Sequence, residues 1–208
     1  LRGVVLLLLD LHQVLLGDLA LVALLLALLE LGRLEGSLRL LHLLLGHVHA
    51  RLGVGLFKLG HGLATLHASG ADGYGLDHDN FIGTLAQDNA MCATWAEFYG
   101  VRRIEPQVRL AVDRGVAPTT WTQTFGSLLT RLPNLVGPEE APARLHGDLW
   151  AGNLHTDNNG NPCIIDPAAY GGHREIDLAM LKLFGTPSER FERAYNEVLP
   201  LAVGAAER

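Results

Sequence analysis

The segment that most narrows what this chain can fold into runs from Leu145 to Pro167. Two short apolar-flanked stretches, Leu154-His155-Thr156 and Cys163-Ile164-Ile165, enclose the turn-forming run Asp157-Asn158-Asn159-Gly160-Asn161-Pro162. Stretches of that length joined by such a run predict a β-hairpin with a loop of several residues. The hairpin ties together what flanks it. It returns Asp166 to the neighbourhood of Asn153, thirteen residues earlier, and Asn153 itself follows Asp148 by five.

Those three side chains suit one kind of chemistry. A carboxylate within hydrogen-bond reach can take the proton of an attacking hydroxyl. Magnesium prefers hard oxygen ligands and usually takes one or two carboxylates plus substrate phosphates. The order and spacing resemble those of protein kinases. There a loop Asp accepts the hydroxyl proton, an Asn after four intervening residues holds one metal, and a second Asp holds the metals bridging the phosphates. The competing view makes Asp148 and Asn153 turn or cap residues and Asp166 a strand end, with three matches by accident.

The 208 residues allow one domain, or one with a small appendage. A net charge of -6 argues against nucleic acid or an anionic membrane as the main partner. The two cysteines, Cys92 and Cys163, lie far apart and match no metal or disulfide spacing. They read as reduced and buried, with Cys163 in the core, which suits a cytoplasmic protein.

Residues 1–56 are a different material. Leucine fills 25 of those positions, and aromatics, Lys, Pro, Thr, Asn, Ile, Met and Cys are all absent. The longest wholly apolar run, Leu19 to Leu29, has eleven residues, short of the eighteen or more of a spanning helix. Asp10 and Asp18 break the apolar material before it, Arg2 is a weak basic start, and no small-residue cleavage site stands out. No membrane span is therefore predicted. A leucine-rich helical hairpin with breaks at Gly17 and Gly32 is one reading. The other notes that every residue there except Ser37 has a codon beginning with G or C. This second hypothesis makes the segment GC-rich sequence translated in another frame or upstream of the coding start. It fails if no frame of the DNA, on either strand, encodes a kinase-like amino-terminal lobe.

From Phe57 the mixture is that of a folded, α-rich domain. Leu59, Leu63, Leu66 and His67 have helical spacing within 58–68. Further helices are predicted over 89–99, 106–114 and 121–131. The run Thr186-Pro187-Ser188-Glu189 predicts an N-cap and capping box opening a helix over 187–198.

With these residues in view, Phe57 to Leu201 resembles the fructosamine kinase family, relatives of aminoglycoside phosphotransferases and choline kinases. The resemblance rests on His146-Gly147-Asp148-Leu149-Trp150-Ala151-Gly152-Asn153 and on the run from Ile165-Asp166-Pro167 to Asp177-Leu178-Ala179-Met180. Asp79-Asn80-Phe81-Ile82-Gly83, Gln87-Asp88-Asn89, Trp95, Pro106-Gln107 and Ala194-Tyr195 extend it. The resemblance implies an α+β fold, a protein-kinase-like carboxy-terminal lobe, mainly helical with a catalytic-loop hairpin, over 57–208. It implies ATP and magnesium as cofactors and a ketosamine, free or protein-bound, as the phosphate acceptor in deglycation.

Carried over residue by residue, Asp148 is the proton acceptor, and Asn153 and Asp166 are the magnesium ligands. His146 braces the loop, or is a buried core histidine. Asp177 anchors the following helix to the loop in a supporting role. Trp150 either stacks on a sugar or plugs the loop's underside. Asn80, Phe81 and Gln87 sit at the substrate mouth, with turn-and-packing roles as the alternative.

The family also grips nucleotide with an amino-terminal β-lobe, a glycine-rich loop and a strand lysine. The only lysines here are Lys58 and Lys182, and neither is placed to be the phosphate lysine. Gly32-Arg33-Leu34-Glu35-Gly36 and Gly53-Val54-Gly55 do not complete the loop motif. The nucleotide-binding residues are thus unassigned, and the final helices past Leu201 have no counterpart. Two further readings follow: a catalytically inactive kinase-like binding protein or pseudogene product, and a metal-dependent hydrolase using His146-Gly147-Asp148 and His155-Thr156-Asp157.

Overall fold

The computed structural model describes residues 55–184 and 188–205. The readings made for 1–54, and for Thr186 and Pro187, lie outside those residues. What is described belongs to one unit, Gly53–Arg208. It mixes helices with three separate two-stranded antiparallel sheets. Among the described residues no helix is long and apolar enough to cross a membrane.

Helix α1 is described over 55–68 and includes the three residues before the predicted start. Leu59, Leu63, Ala64 and His67 fall on one face and are buried. That face meets Leu149, Leu181, Phe191 and Tyr195 in the first of two apolar clusters. Gly60 permits the approach, because a Cβ there would stand 2.5 Å from the Phe191 carbonyl oxygen. The chain then forms a tight hairpin, β1 (Asn80–Ile82) and β2 (Leu85–Gln87), with Asn80 opposite Gln87 and Phe81 opposite Ala86. Its base is closed by Asn89 N–H donating to Asp79 Oδ1 at 2.9 Å.

The helix predicted over 89–99 is shorter than expected. Residues 89–92 pair with the preceding loop instead, through Leu76 N–H to Asn89 O at 2.9 Å and Cys92 N–H to Tyr74 O at 3.0 Å. Helix α2 therefore occupies only Trp95–Tyr99, capped by the Thr94 hydroxyl accepting from Glu97 N–H. A π-helical turn, Gly100–Ile104, carries the chain into α3, Glu105–Asp113. Pro106 lacks the N–H that an unbroken α-helix would use at this point, so a change of pitch is accommodated there. Helix α4, Thr120–Arg131, completes an outer helical pair in which no residue is fully buried.

Strand β3 (Ala143–Leu145) pairs with β6 (Tyr170–Gly172). Between them β4 (Leu154–Thr156) and β5 (Pro162–Ile164) form the predicted hairpin, with Leu154 opposite Ile164. Three-residue strands have little stability of their own, so packing must hold them. For β3 and β6 it comes from the second cluster, Tyr74, Trp95, Phe98, Ala143, Leu145 and Tyr170, whereas Leu154 and Ile164 of β4 and β5 pack against the first. The Arg103 guanidinium lies 4.6 Å from the Phe98 ring centre and 4.3 Å from that of Tyr170.

Helices α5 (Glu175–Phe184) and α6 (Glu189–Val198) complete the core. The N-cap of α6 is Ser188, whose hydroxyl accepts from Phe191 N–H, so the helix starts two residues later than predicted. Cys92 and Cys163 are free thiols, and both are half-buried rather than in the core.

Candidate active site

Strand β3 delivers the chain into a loop whose backbone is held from beneath. Asp177, in the first turn of α5, is buried and accepts His146 N–H at 2.8 Å and Gly147 N–H at 3.0 Å. Gly147 has φ +80°, and a Cβ there would lie 2.1 Å from the Ala168 carbonyl oxygen. Only glycine fits that turn. The His146 ring is buried, and its Nε2 lies 2.9 Å from the Ile165 carbonyl oxygen. A carbonyl only accepts, so Nε2 carries the proton and Nδ1 accepts Asp148 N–H at 3.3 Å. His146 is thus both a core residue and a brace joining Asp148 to the strand before Asp166.

Beyond Asp148 the loop turns over Leu149, which is fully buried in the first apolar cluster. Asn153 is buried on a short 3-10 turn. Its Nδ2 donates to the Asp148 carbonyl at 2.9 Å and to Asp148 Oδ2 at 3.1 Å. With the amide nitrogen so engaged, Oδ1 is the side chain's acceptor atom. Across the hairpin, Ile165 N–H donates to Asn153 O at 3.1 Å. Asp166, next along, is therefore adjacent to Asn153, as the sequence spacing predicts. Asp166 is exposed with φ +52°, the one described non-glycine residue in the left-handed region. That conformation costs about 1 kcal/mol or more, and such strain clusters at functional sites.

Trp150 is 40% exposed, and its indole lies against Gly152, where a Cβ would come within 2.3 Å of the ring. One face of the ring packs on its own loop, and the side chain is partly open to solvent. The β1–β2 hairpin touches the same region through Asn80, whose Nδ2 donates to the Ala169 carbonyl at 2.8 Å. Asn80 and Gln87 share one face. Their Oδ1 and Oε1 atoms are buried without partners among the described residues. Phe81, 64% exposed, points to the opposite face with Ala86, so the hairpin does not present all three residues on the same side.

The second His-x-Asp pair is occupied with the turn. Asp157 Oδ1 accepts the N–H groups of Asn159 and Asn161 at 2.9 and 2.7 Å, and Oδ2 accepts Asn161 Nδ2 at 3.0 Å. The Asn161 side chain, with backbone N–H groups, holds the Asp157 carboxyl below its usual range. Among the described residues no three His, Cys, Asp or Glu side chains converge as a metal site. The hydrolase reading gains no ligand set there. Lys58 donates to Asn161 Oδ1 at 2.6 Å, and so braces the same turn.

The motifs quoted above assign no role to three contributors: His67, Arg174 and the hydroxyl of Tyr195. His67 bonds Asp177 and Tyr195. Arg174 grips Glu140 at 2.6 and 3.0 Å and the carbonyls of Leu199 and Pro200 at 2.7 Å each. The available signal was a histidine on the apolar face of a helix, which requires a buried partner.

Comparison with known proteins points to one family. A family profile described as fructosamine kinase matches residues 32–208. A protein-ribulosamine 3-kinase, chloroplastic, of Arabidopsis thaliana is 37% identical over 73% of this chain and 47% of its own length. A "probable ketoamine kinase" of Enterococcus faecium is 37% identical over 70% of this chain and 53% of its own. A crystal structure from Thermobifida fusca YX-ER1, assigned as a fructosamine-3-kinase, superposes with TM-score 0.69 at 46% identity, covering 73% of this chain and 53% of the other. The chain spans about half the length of the curated relatives it matches.

Proposed function

Because the chain belongs to the fructosamine kinase family, we propose that its described residues form the kinase-like catalytic lobe of a ketosamine phosphotransferase. The reaction moves the ATP γ-phosphate to a sugar hydroxyl of a glycated amine. The observation that carries this reading is the pair of hydrogen bonds from Asn153 Nδ2 to Asp148, beside a strained Asp166. The amide nitrogen steadies the proton acceptor, and the amide oxygen would be the atom that holds a metal.

The residues fit the cation the family implies. Asn153 Oδ1 and the exposed Asp166 carboxylate are hard oxygen donors on adjacent backbone, and magnesium is commonly held by this few protein ligands. Held by Asn153 and Asp166, magnesium would supply neutralisation of the charge that develops on the phosphates. Asp148 takes the proton of the sugar hydroxyl at its carboxylate. His146 keeps that loop in register with the strand leading to Asp166. Asn80, tied to the loop after Asp166, and Gln87 beside it on the same hairpin face border the acceptor sugar, and Trp150 offers it an aromatic face. The glycated amine is the partner, and the free cysteines suit a reducing compartment such as the cytosol.

The test is direct. The full chain is incubated with a fructosyl- or ribulosyl-amine, magnesium and ATP, and sugar phosphate is followed by phosphorus NMR. Phosphorylated ketosamine is expected. A magnesium-ATP-dependent thermal shift without product marks a binding protein instead, and absence of both overturns the proposal.

A further inference from the structure

Two amide oxygens of the β1–β2 hairpin are buried with nothing to accept. Gln87, 7% exposed, and Asn80 stand opposite each other across the strands, so their side chains leave one face as neighbours. Asn80 Nδ2 donates to the Ala169 carbonyl at 2.8 Å, which turns that face toward the loop after Asp166. A carbonyl only accepts, so the end of Asn80 left over is Oδ1. Asn80 Oδ1 and Gln87 Oε1 have no hydrogen-bond partner among the described residues. Buried amide oxygens are nearly always satisfied, and two left open side by side suit a donor brought by a ligand. The pair is also near the proposed chemistry. The carbonyl of Ala168, beside Ala169, lies against Gly147, the residue before Asp148.

Charge and donor count say which ligand group fits. Residues 77–88 hold three aspartates, Asp77, Asp79 and Asp88, and no lysine or arginine. Asp79 and Asp88 flank the two amides directly in sequence. Arg102, from the π-helical turn, offsets Asp88 at 2.5 Å, and His78 lies 2.5 Å from Asp77. Asp79 is exposed, and one of its oxygens accepts Asn89 N–H at 2.9 Å. Such surroundings favour a cation over a neutral hydroxyl. A protonated secondary amine carries one positive charge and two N–H donors with no acceptor, which matches two open oxygens one to one. We infer that Asn80 Oδ1 and Gln87 Oε1 receive the ammonium of the ketosamine, the nitrogen that joins the sugar to its amine carrier. The pair distinguishes a glycated amine from a plain sugar, while Asp148 acts on the hydroxyl a few bonds away. The inference deepens the kinase reading and rests on it for the identity of the acceptor.

N-butyl fructosamine and O-butyl fructose, in which an ether oxygen replaces the amine, separate the two donors from the sugar. Turnover with magnesium-ATP, and calorimetric binding without nucleotide, are measured for both ligands on the full chain and on its Gln87→Met and Gln87→Glu variants. Met keeps the length and loses the acceptor, whereas Glu keeps an oxygen and adds charge. The wild type should prefer the amine by about 10²-fold in kcat/KM, mostly through KM, as two hydrogen bonds to a charged group require. Gln87→Met should cut that preference by about tenfold, and Gln87→Glu should hold or raise it. A residue that merely packs the hairpin would move both ligands alike. Equal use of the two ligands by the wild type overturns the inference, as does an unchanged preference in the Met variant or a lost one in the Glu variant. Should the variants not fold, the N-methyl tertiary amine decides on the wild type: it keeps the charge with one N–H and should bind about tenfold more weakly than the secondary amine. Equal binding of the two amines overturns the inference. Turnover of amine and ether alike removes the ammonium site and leaves the kinase reading. Amine-selective binding without turnover removes the kinase reading and leaves the site, and binding of neither ligand overturns both.

Discussion

Two hairpins of equal strand length meet the same loop and are attached to it in opposite ways. The β4–β5 hairpin continues directly into Asp166, and its backbone is bonded to that of Asn153 through Ile165 N–H. The β1–β2 hairpin reaches Ala169 through one side chain, Asn80. Main-chain attachment fixes position with no rotamer freedom, whereas a side-chain tether leaves the hairpin adjustable. The groups proposed for metal binding and proton transfer adjoin the first, and the residues proposed to border the acceptor sugar lie on the second. Chemistry common to a family needs the former, and choice among acceptors suits the latter.

That division can be broken at its strongest point first. Asp177→Ala removes the acceptor for His146 N–H, Gly147 N–H and His67, leaving buried donors unsatisfied. A loss of about 3–5 kcal/mol in denaturant-unfolding stability is expected. A loss below 1 kcal/mol would mean that the loop holds itself. Next in size is Asn80→Ala, which cuts the side-chain tether at a cost of about 1 kcal/mol. If the second hairpin serves the acceptor, KM for the ketosamine should rise several-fold with kcat nearly unchanged. An equal fall in kcat and kcat/KM would place Asn80 with the catalytic groups instead.

The smallest effect is expected at Asp157. Its folded carboxyl is held below the usual value by the Asn161 side chain. The charge therefore stabilises the turn above the unfolded value near 3.9 and loses that effect as pH falls through the folded value. Asp157→Asn should melt slightly below wild type at neutral pH, with the two curves converging in acid. A difference that grows on acidification contradicts the sign.

The same contrast explains what was readable from the sequence. The β4–β5 hairpin announces itself because Asp157-Asn158-Asn159-Gly160-Asn161 is a local turn signal, and its strands came out within a residue. Helices α3 and α4 were likewise legible from local pattern. The β1–β2 hairpin is equally short, but only Gly83-Thr84 joins its strands, too little signal to separate it from a loop. Strands β3 and β6 are three residues each, 25 positions apart at Leu145 and Tyr170, and exist only because they meet. The start of α2 failed for a related reason. Residues 89–92 have helical company, but their backbone groups are claimed by Tyr74 and Leu76. In the site, Asp148, Asn153 and Asp166 could be placed because a hairpin fixes their proximity. His67 could not, since its partner lies on a helix 110 residues away.

The central claim is that Asp148 moves a proton while Asn153 and Asp166 hold the metal. Asp148→Asn tests it most directly, with magnesium-ATP thermal shift and ketosamine turnover measured on the same protein. The account predicts a retained shift and turnover reduced by about 10²-fold or more. Turnover equal to wild type in a variant that still binds magnesium-ATP would contradict it.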